Sequence, residues 1–413
     1  MTGPNITLPL DLPDVNVLGV TLREESIEIT LESTLNYAYC RKCGQKLTAL
    51  HSYDAWVTVQ HLPILGRKVF LKFRPKRYRC PDCDDHPTTT QQLAWVEPNS
   101  GQTKAYTAHL LRAMVNSTLA DVSVKEHVPY DTLVGVLERS IATQVDWSAY
   151  RCLGVLGIDE IALKKGHRDF VVIVSARLPT GHVAVLGVLP DRCQATLQTF
   201  LTTIPAPLRA TIHTACCDVH EAYHAAVKVV LPHARLVVDR FHIARLYRQA
   251  ADDLRKSELK RLRRTLSPAS YRSLKGAMWA FRKAQRDLKP DERMLLETLF
   301  ALAPSLKTAY GLREELTHIF DTAPGKNKAK RLLRDWQAKV RASGLTCFDT
   351  FLGTLDRFWN EITNYFVDHH SSGFVEGLNN KLKVLKRRCY GIFNLDHFFQ
   401  RIFLDLEGYR LFN

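Results

Sequence analysis

Residues 152–160 read CLGVLGIDE, an apolar run that stops on two acids, Asp159 and Glu160. An uncharged stretch this short suits a buried strand rather than a helix. Working outward, FVVIVS at 170–175 and VAVLGV at 183–188 are two more strand-like runs, and Pro179-Thr180-Gly181 supplies the turn between them. Residues 195–204 read as a helix. Residues 211–217 form a fourth strand that ends on Asp218. Residues 221–230 are helical again, and 235–238 form a fifth strand that ends on Asp239. The expected order is therefore three antiparallel strands, helix, strand, helix, strand.

That order is the order of the ribonuclease-H-like fold, an α/β class. A carboxylate at the end of a buried strand is costly unless something compensates it, and a metal ion does so strongly. One strand-end aspartate is most often a turn or helix cap. Two in matching positions, Asp159 and Asp218, favour a shared Mg²⁺ site if their strands are neighbours. A third acid, Glu376, stands in SSGFVEGLNNKLK at 371–383. On a helix, Val375, Leu378, Leu382 and Leu385 share one face, and Glu376, Asn380, Lys383 and Arg387 share another. Gly373 and Gly377 flank the acid at a cost to helix stability, which suggests close approach of its backbone to something.

The first hundred residues look β-rich, with short strands at 57–60 and 68–73 around Gly66. They carry two C-x-x-C knuckles, Cys40/Cys43 and Cys80/Cys83. Four thiolates turned to one point are what tetrahedral Zn²⁺ takes, and no position is left open, so the expected zinc is structural. His86 is a spare candidate ligand. Beside the second knuckle, RPKRYR at 74–79 interleaves base and aromatic and suits a DNA backbone or a solvated edge strand. Helical stripes over 104–119, with Leu110, Leu111, Met114 and Val115, then 120–128, a break at Pro129, and 131–139 with Asp131 as N-cap, fit a helix-turn-helix or a plain helical hairpin.

The 413 residues allow two to four domains, and 46% hydrophobic with 24% charged residues describes a globular chain. The formal net charge is +15, which suits a polyanion. Residues 240–289 alone hold 15 Lys or Arg against 4 Asp or Glu, so the surplus is concentrated where a phosphate-binding surface is expected. The stretch 240–370 reads as helical, broken by Pro290, Pro304 and Pro324. No signal peptide or membrane span is evident, and the six scattered cysteines are expected to be reduced thiols.

The segments GIDEIA (157–162), VDRFH (238–242), LK (274–275) with MWAFRK (278–283), VEGLNNKLK (375–383) and KRRCYG (386–391) together resemble the DDE transposases of bacterial insertion sequences, specifically the ISL-three family. The likeness runs over nearly the whole chain, the knuckles and the helix-turn-helix included. It implies that Asp159, Asp218 and Glu376 form the catalytic triad and that 240–370 is an insertion within the catalytic fold. Asp239 is the rival for the middle place. Asp218 is favoured because it ends the fourth strand, whereas capping the next, basic helix accounts for Asp239.

The resulting expectation is a zinc-binding domain at 1–100, a helix-turn-helix at 101–148, a ribonuclease-H-like core at 149–239 and 371–413, and a helical insertion at 240–370. Two Mg²⁺ (or Mn²⁺) ions per active site and one structural Zn²⁺ go with it. DNA contacts are expected from Arg77 and Arg79, from Arg255, Lys256, Lys260, Arg261, Arg263 and Arg264, and from Asn380, Lys383, Lys386 and Arg387. The expected partners are double-stranded DNA, as element ends and target, and a second or further copy of the chain on that DNA. The expected setting is the bacterial cytoplasm, at the nucleoid. A DNA-binding regulator that has lost catalysis, or a structure-specific nuclease on the same fold, are the competing classes. The intact acids count against the first and the knuckles against the second.

Overall fold

The computed structural model describes residues 10, 12–162, 170–369, 373–389 and 394–412, with the backbone alone at Val375 and Glu376. The chain divides into two compact units, Met1–Ala142 with Phe403–Asn413, and Thr143–Ile402.

Among its described residues the first unit holds nine strands: β1 (Val15–Leu22), β2 (Ser26–Ser33), β3 (Ala38–Tyr39), β4 (Lys46–Leu47), β5 (Leu50–Tyr53), β6 (Val57–Ile64), β7 (Arg67–Phe73), β8 (Lys76–Arg79) and β9 (Thr88–Thr90). They form a four-stranded sheet in the order β1-β2-β7-β6, a β3-β4 pair and a three-stranded β5-β8-β9 sheet. Period-two alternation buries Ile27, Ile29 and Leu31 of β2 against Val69, Leu71 and Phe73 of β7, under Leu93 and Trp95. The two expected strands around Gly66 are β6 and β7.

Three helices come next in the chain: α1 (Lys104–Met114), α2 (Leu119–Glu126) and α3 (Tyr130–Ser140). Thr103 and Thr118 cap the first two through their hydroxyls. The single helix expected over 104–119 therefore ends early, and Asn116 turns the chain in a left-handed conformation. The third helix starts one residue before Asp131, on Pro129, with no side-chain cap. Asp131 is thus a first-turn acid and not the N-cap. Leu110, Leu111, Met114, Val122, Leu133, Val136 and Leu137 share a core that also takes Leu404. The tail 403–413, expected in the catalytic core, belongs to this unit instead, and Arg112 donates to the Phe412 carbonyl.

The second unit is built on β10 (Gly154–Ala162), β11 (Phe170–Arg177), β12 (Val183–Leu189), β13 (Ile212–Cys217) and β14 (Arg235–Val238), in the order β12-β11-β10-β13-β14. The first three are antiparallel, and β10, β13 and β14 run parallel. Helices α4 (Gln194–Thr203) and α5 (Ala206–Arg209) connect β12 to β13, and α6 (Glu221–Val230) connects β13 to β14. Gly154 opens β10 at φ +70, where a Cβ would lie 2.9 Å from the Arg177 carbonyl, so only glycine fits. One face of the sheet, with Leu156, Ile158, Val172 and Val174, packs under Leu197, Leu201, Tyr223 and Val227 of α4 and α6.

The other face is covered by a succession of helices: α7 (Arg240–Thr265), α8 (Pro268–Arg272), α9 (Ala277–Arg282), α10 (Pro290–Leu302), α11 (Pro304–Thr322), α12 (Lys326–Ala342), α13 (Asp349–Arg357) and α14 (Trp359–Asp368). Pro290 and Pro304 sit at the first positions of α10 and α11, so they start helices rather than break them. Val155, Cys216, Val237 and Val238 of the sheet share one continuous core with Leu299, Leu316, Leu333, Trp336 and Phe351 of these helices. The stretch expected as a helical insertion within the catalytic fold shares its core with the sheet. The chain ends with α15 (Gly373–Arg388) and α16 (Leu395–Leu411). No described helix is long and apolar enough to cross a membrane.

Candidate active site and zinc centre

The sheet register aligns the acids. Ile158 of β10 lies beside Cys217 of β13, and Cys217 lies beside Val238 of β14. The next residue of each parallel strand is an aspartate, so Asp159, Asp218 and Asp239 form one row. The row includes both the favoured middle acid and its rival. Asp159 is not at a strand end as expected, because β10 continues to Ala162.

Alternation along β10 sends its two acids to opposite faces. Glu160 is held on the α6 side, accepting from Tyr223 Oη at 2.7 Å and from Arg192 at 3.3 Å. Asp159 lines a concave pocket of about 690 Å³ together with Asp218, Asp239, His242, Asn379 and Lys383. A larger cavity, about 880 Å³, lies among α7, α10 and α11, but its acids Asp287, Glu314, Glu315 and Asp321 are paired with Arg286, Arg313, Lys339 and Arg240.

His242, in the first turn of α7, stands among the three carboxylates. Its Nδ1 is 2.9 Å from Asp218 Oδ1, and its Nε2 is 3.9 Å from Asp159 Oδ1 and 3.7 Å from Asp239 Oδ2. Burial disfavours its charge, but the hydrogen bond to Asp218 and the three acids outweigh that and push it up to about 9. Burial alone would raise Asp218, yet the same imidazolium and the Val219 N–H hold it below its usual range. Asp159 goes the other way: burial raises it, helped by Asp218 and Asp239, against the pull of the Glu160 N–H and His242. Asp239 also caps α7, its Oδ1 accepting from the Phe241 N–H at 3.0 Å, as the sequence suggested.

Helix α15 brings the remaining groups. Leu378, Leu382 and Leu385 are buried as expected. Asn379, which the sequence did not single out, is buried and donates from Nδ2 to Asp159 Oδ2 at 2.5 Å, while Asn380, expected on DNA, is exposed. Lys383 lines the pocket. The Glu376 backbone lies in α15, one turn ahead of Asn379; its side chain lies outside the described residues. A Cβ on Gly377, an exposed position, would meet nothing within 4 Å among the described residues, so the expected close approach is not made to them.

The basic residues separate into those that face solvent and those that do not. Lys256, Lys260, Arg263 and Arg264, spaced i, i+4, i+7 and i+8, share one exposed face of α7. Lys256 also bonds Asp253, and Arg261 is held by Glu258. Arg255, expected on DNA, is instead buried and bonds Asp252 at 2.7 Å, which also takes Arg282 at 2.8 Å. Burial works against the Asp252 charge, but these two guanidiniums hold it well below the usual carboxylate range. Lys386 is half-buried and donates to the Ala162 carbonyl, which ties α15 to β10. Arg387 is exposed. On β8, Arg79 is exposed beside His51, and Arg77 is half-buried, donating to Thr88 at 2.8 Å.

In the first unit the four knuckle sulfurs converge, with Cys40–Cys83 at 3.9 Å, Cys43–Cys80 at 3.7 Å and Cys80–Cys83 at 3.6 Å. A tetrahedron of sulfurs each about 2.3 Å from zinc has edges of about 3.8 Å, so the donor set fits structural Zn²⁺. The Cys43 and Lys42 N–H groups hold the Cys40 thiol down at about 6, whereas its sulfur neighbours push Cys83 up to about 12. His86 turns its ring to the Cys80 carbonyl and leaves the sulfurs alone, so it is not a ligand.

Two family models match the chain. One, described as a transposase and carrying the ISL3 DDE designation, covers residues 156–402. The other, a zinc-finger of transposase IS204/IS1001/IS1096/IS1165, covers 37–83. The transposase for insertion sequence element IS1001 of Bordetella parapertussis is 27% identical, over 93% of this chain and 92% of its own length. The transposase for IS1557 of Mycobacterium tuberculosis is 25% identical, over 90% of this chain and 86% of its own. Among solved structures, the Drosophila P element transposase strand transfer complex aligns with 77% of this chain at a TM-score of 0.41 and 10% identity.

Proposed function

The chain belongs to the ISL-three family of DDE transposases, enzymes that cut and join DNA, and on that premise we propose that Asp159, Asp218 and Glu376 are its catalytic carboxylates, on a ribonuclease-H-like core. The carrying observation is the row of strand-borne aspartates in one pocket, faced by the α15 residues Asn379 and Lys383 one and two turns beyond Glu376. The donors are carboxylate oxygens, which suit hard divalent ions such as Mg²⁺. Bound there, such ions supply an activated oxygen nucleophile and neutralise charge at the phosphorus.

The chain's own groups have defined tasks in this reading. Asn379 fixes one oxygen of Asp159, and the Glu160 N–H, 2.7 Å from Oδ1, fixes the other. His242 orients Asp218 through its Nδ1, 2.9 Å from Oδ1. Lys383, in the pocket wall, is placed to meet a phosphate, and the open flank of Gly377 leaves room for a DNA backbone. Asp239, as a helix cap, is a second-rank candidate for the metal set. The knuckle domain and helices α1–α3, with α2–α3 as a helix-turn-helix, recognise the terminal inverted repeats. The exposed face of α7 grips phosphates, and two copies act together on paired ends.

The test is cleavage of labelled end DNA with Mg²⁺. Asp159→Ala, Asp218→Ala and Glu376→Ala are each expected to abolish cutting and strand transfer while leaving end binding intact. Asp239→Asn is expected to retain measurable cutting. Cutting by any of the first three would remove that residue from the triad, and a dead Asp239→Asn with an active Asp218→Ala would exchange the two.

A further inference from the structure

Strand β1 is an edge of the first unit's four-stranded sheet, and its outer side pairs with no other strand among the described residues. Its sequence, VNVLGVTL, contains neither charge nor proline, the usual protections of an edge. Val17, Leu18, Val20 and Leu22 are between 51% and 67% exposed. A bulge explains how so many apolar side chains come to one side. Val17 lies opposite Leu31, Gly19 opposite Thr30 and Val20 opposite Ile29, so Leu18 is the extra residue. Val15, Val17, Val20 and Leu22 consequently continue the face of Ser33, Leu31, Ile29 and Ile27, which is buried on β2. The apolar layer of the sheet runs on past its cover.

With Leu18 set aside, β1 has the same character in both directions from Gly19. Val15, Asn16 and Val17 run apolar-polar-apolar, and so do Val20, Thr21 and Leu22, with Asp14 before them and Arg23 after. Two copies laid antiparallel about a two-fold axis through Gly19 would oppose Val17 to Val20, Asn16 to Thr21, Val15 to Leu22 and Asp14 to Arg23. Every opposed pair matches in polarity or charge, and the axis, normal to the sheet, keeps each pair on one face. A foreign strand would not call for this symmetry, whereas an isologous dimer does.

We propose that β1 is the dimerisation edge of this protein, joining two four-stranded sheets into one of eight strands across a second copy of the chain. The proposal is independent of the catalytic assignment, and its test uses no DNA. The full zinc-loaded chain is weighed by light scattering across micromolar concentrations. A dimer is expected, and Val20→Lys, a substitution at an exposed position, should weaken its association by roughly tenfold or more.

Crosslinking fixes the register without added charge. Gly19→Cys should form an intermolecular disulfide above the wild-type background. Val15→Cys should not, because its two copies would stand about 20 Å apart, beyond disulfide reach. A monomer throughout the concentration range, a dimer that Val20→Lys leaves intact, or equal crosslinking at positions 15 and 19 would each overturn the proposal.

Discussion

Replacing Asn379 with alanine removes a side chain that no pattern in the sequence marked as close to the acids. Its amide donates to Asp159 Oδ2 at 2.5 Å from a position only 3% exposed, so water does not readily take its place. A hydrogen bond to a charged partner contributes about 1.5–3 kcal/mol. If that bond orients Asp159 in the transition state, its loss lowers the cleavage rate by about 10- to 100-fold at 1.4 kcal/mol per decade. The rate at saturating end DNA should fall, and the Mg²⁺ concentration for half-maximal rate should rise, while the Kd for end DNA stays put. Asn379→Asp should be worse at neutral pH. A new carboxylate there would raise Asp159 further, beyond what burial and the neighbouring acids already do. An Asn379→Ala protein with wild-type rate and wild-type Mg²⁺ dependence would refute the positioning role, and a change in DNA affinity alone would reassign the residue to substrate binding.

Zinc should be present at one ion per chain, and Cys80→Ser should lose it and open residues 37–90 to proteolysis; retention of full zinc content would contradict the four-sulfur site. In protein without added Mg²⁺, His242 at about 9 lies above its unfolded value near 6.5, so the native state binds more protons between those values. Its contribution of about 3 kcal/mol is complete below pH 6.5 and is lost as pH rises through 9, a slope that thermal melts should show and His242→Gln should remove. Alanine at Lys260, Arg263 and Arg264 together should reduce the slope of log K against log salt by roughly 2–3 if each meets a phosphate. Arg255→Ala should lower Tm and leave that slope unchanged, because its guanidinium braces Asp252 inside the protein.

The sheet was legible because its strands are apolar runs that end where chemistry begins, and the alternation of 152–239 needed no tertiary knowledge. The row of acids was half legible. Asp159 and Asp218 stood out, but only the parallel register puts Asp239 beside them. Charge counts could not separate Arg255 from Lys260, since both lie in one basic run and burial alone distinguishes them. The stripe argument on α15 put Asn380 on the face of Glu376 and assigned Asn379 to neither face, whereas the amide that bonds Asp159 lies at the boundary between them. His242 carried a signal only as part of VDRFH. The tail 403–413 has apolar residues that suit more than one core, and nothing local tells which it joins.

The shared core of β10, β13 and β14 with the long helical stretch bears on how the enzyme can be dissected. Excising residues 240–368 to obtain a smaller nuclease would strip the covering from Val155, Cys216, Val237 and Val238 and remove His242 with it. A truncated chain of that kind is expected to aggregate rather than fold, and a soluble one with cooperative melting would mean the helices are an accessory after all.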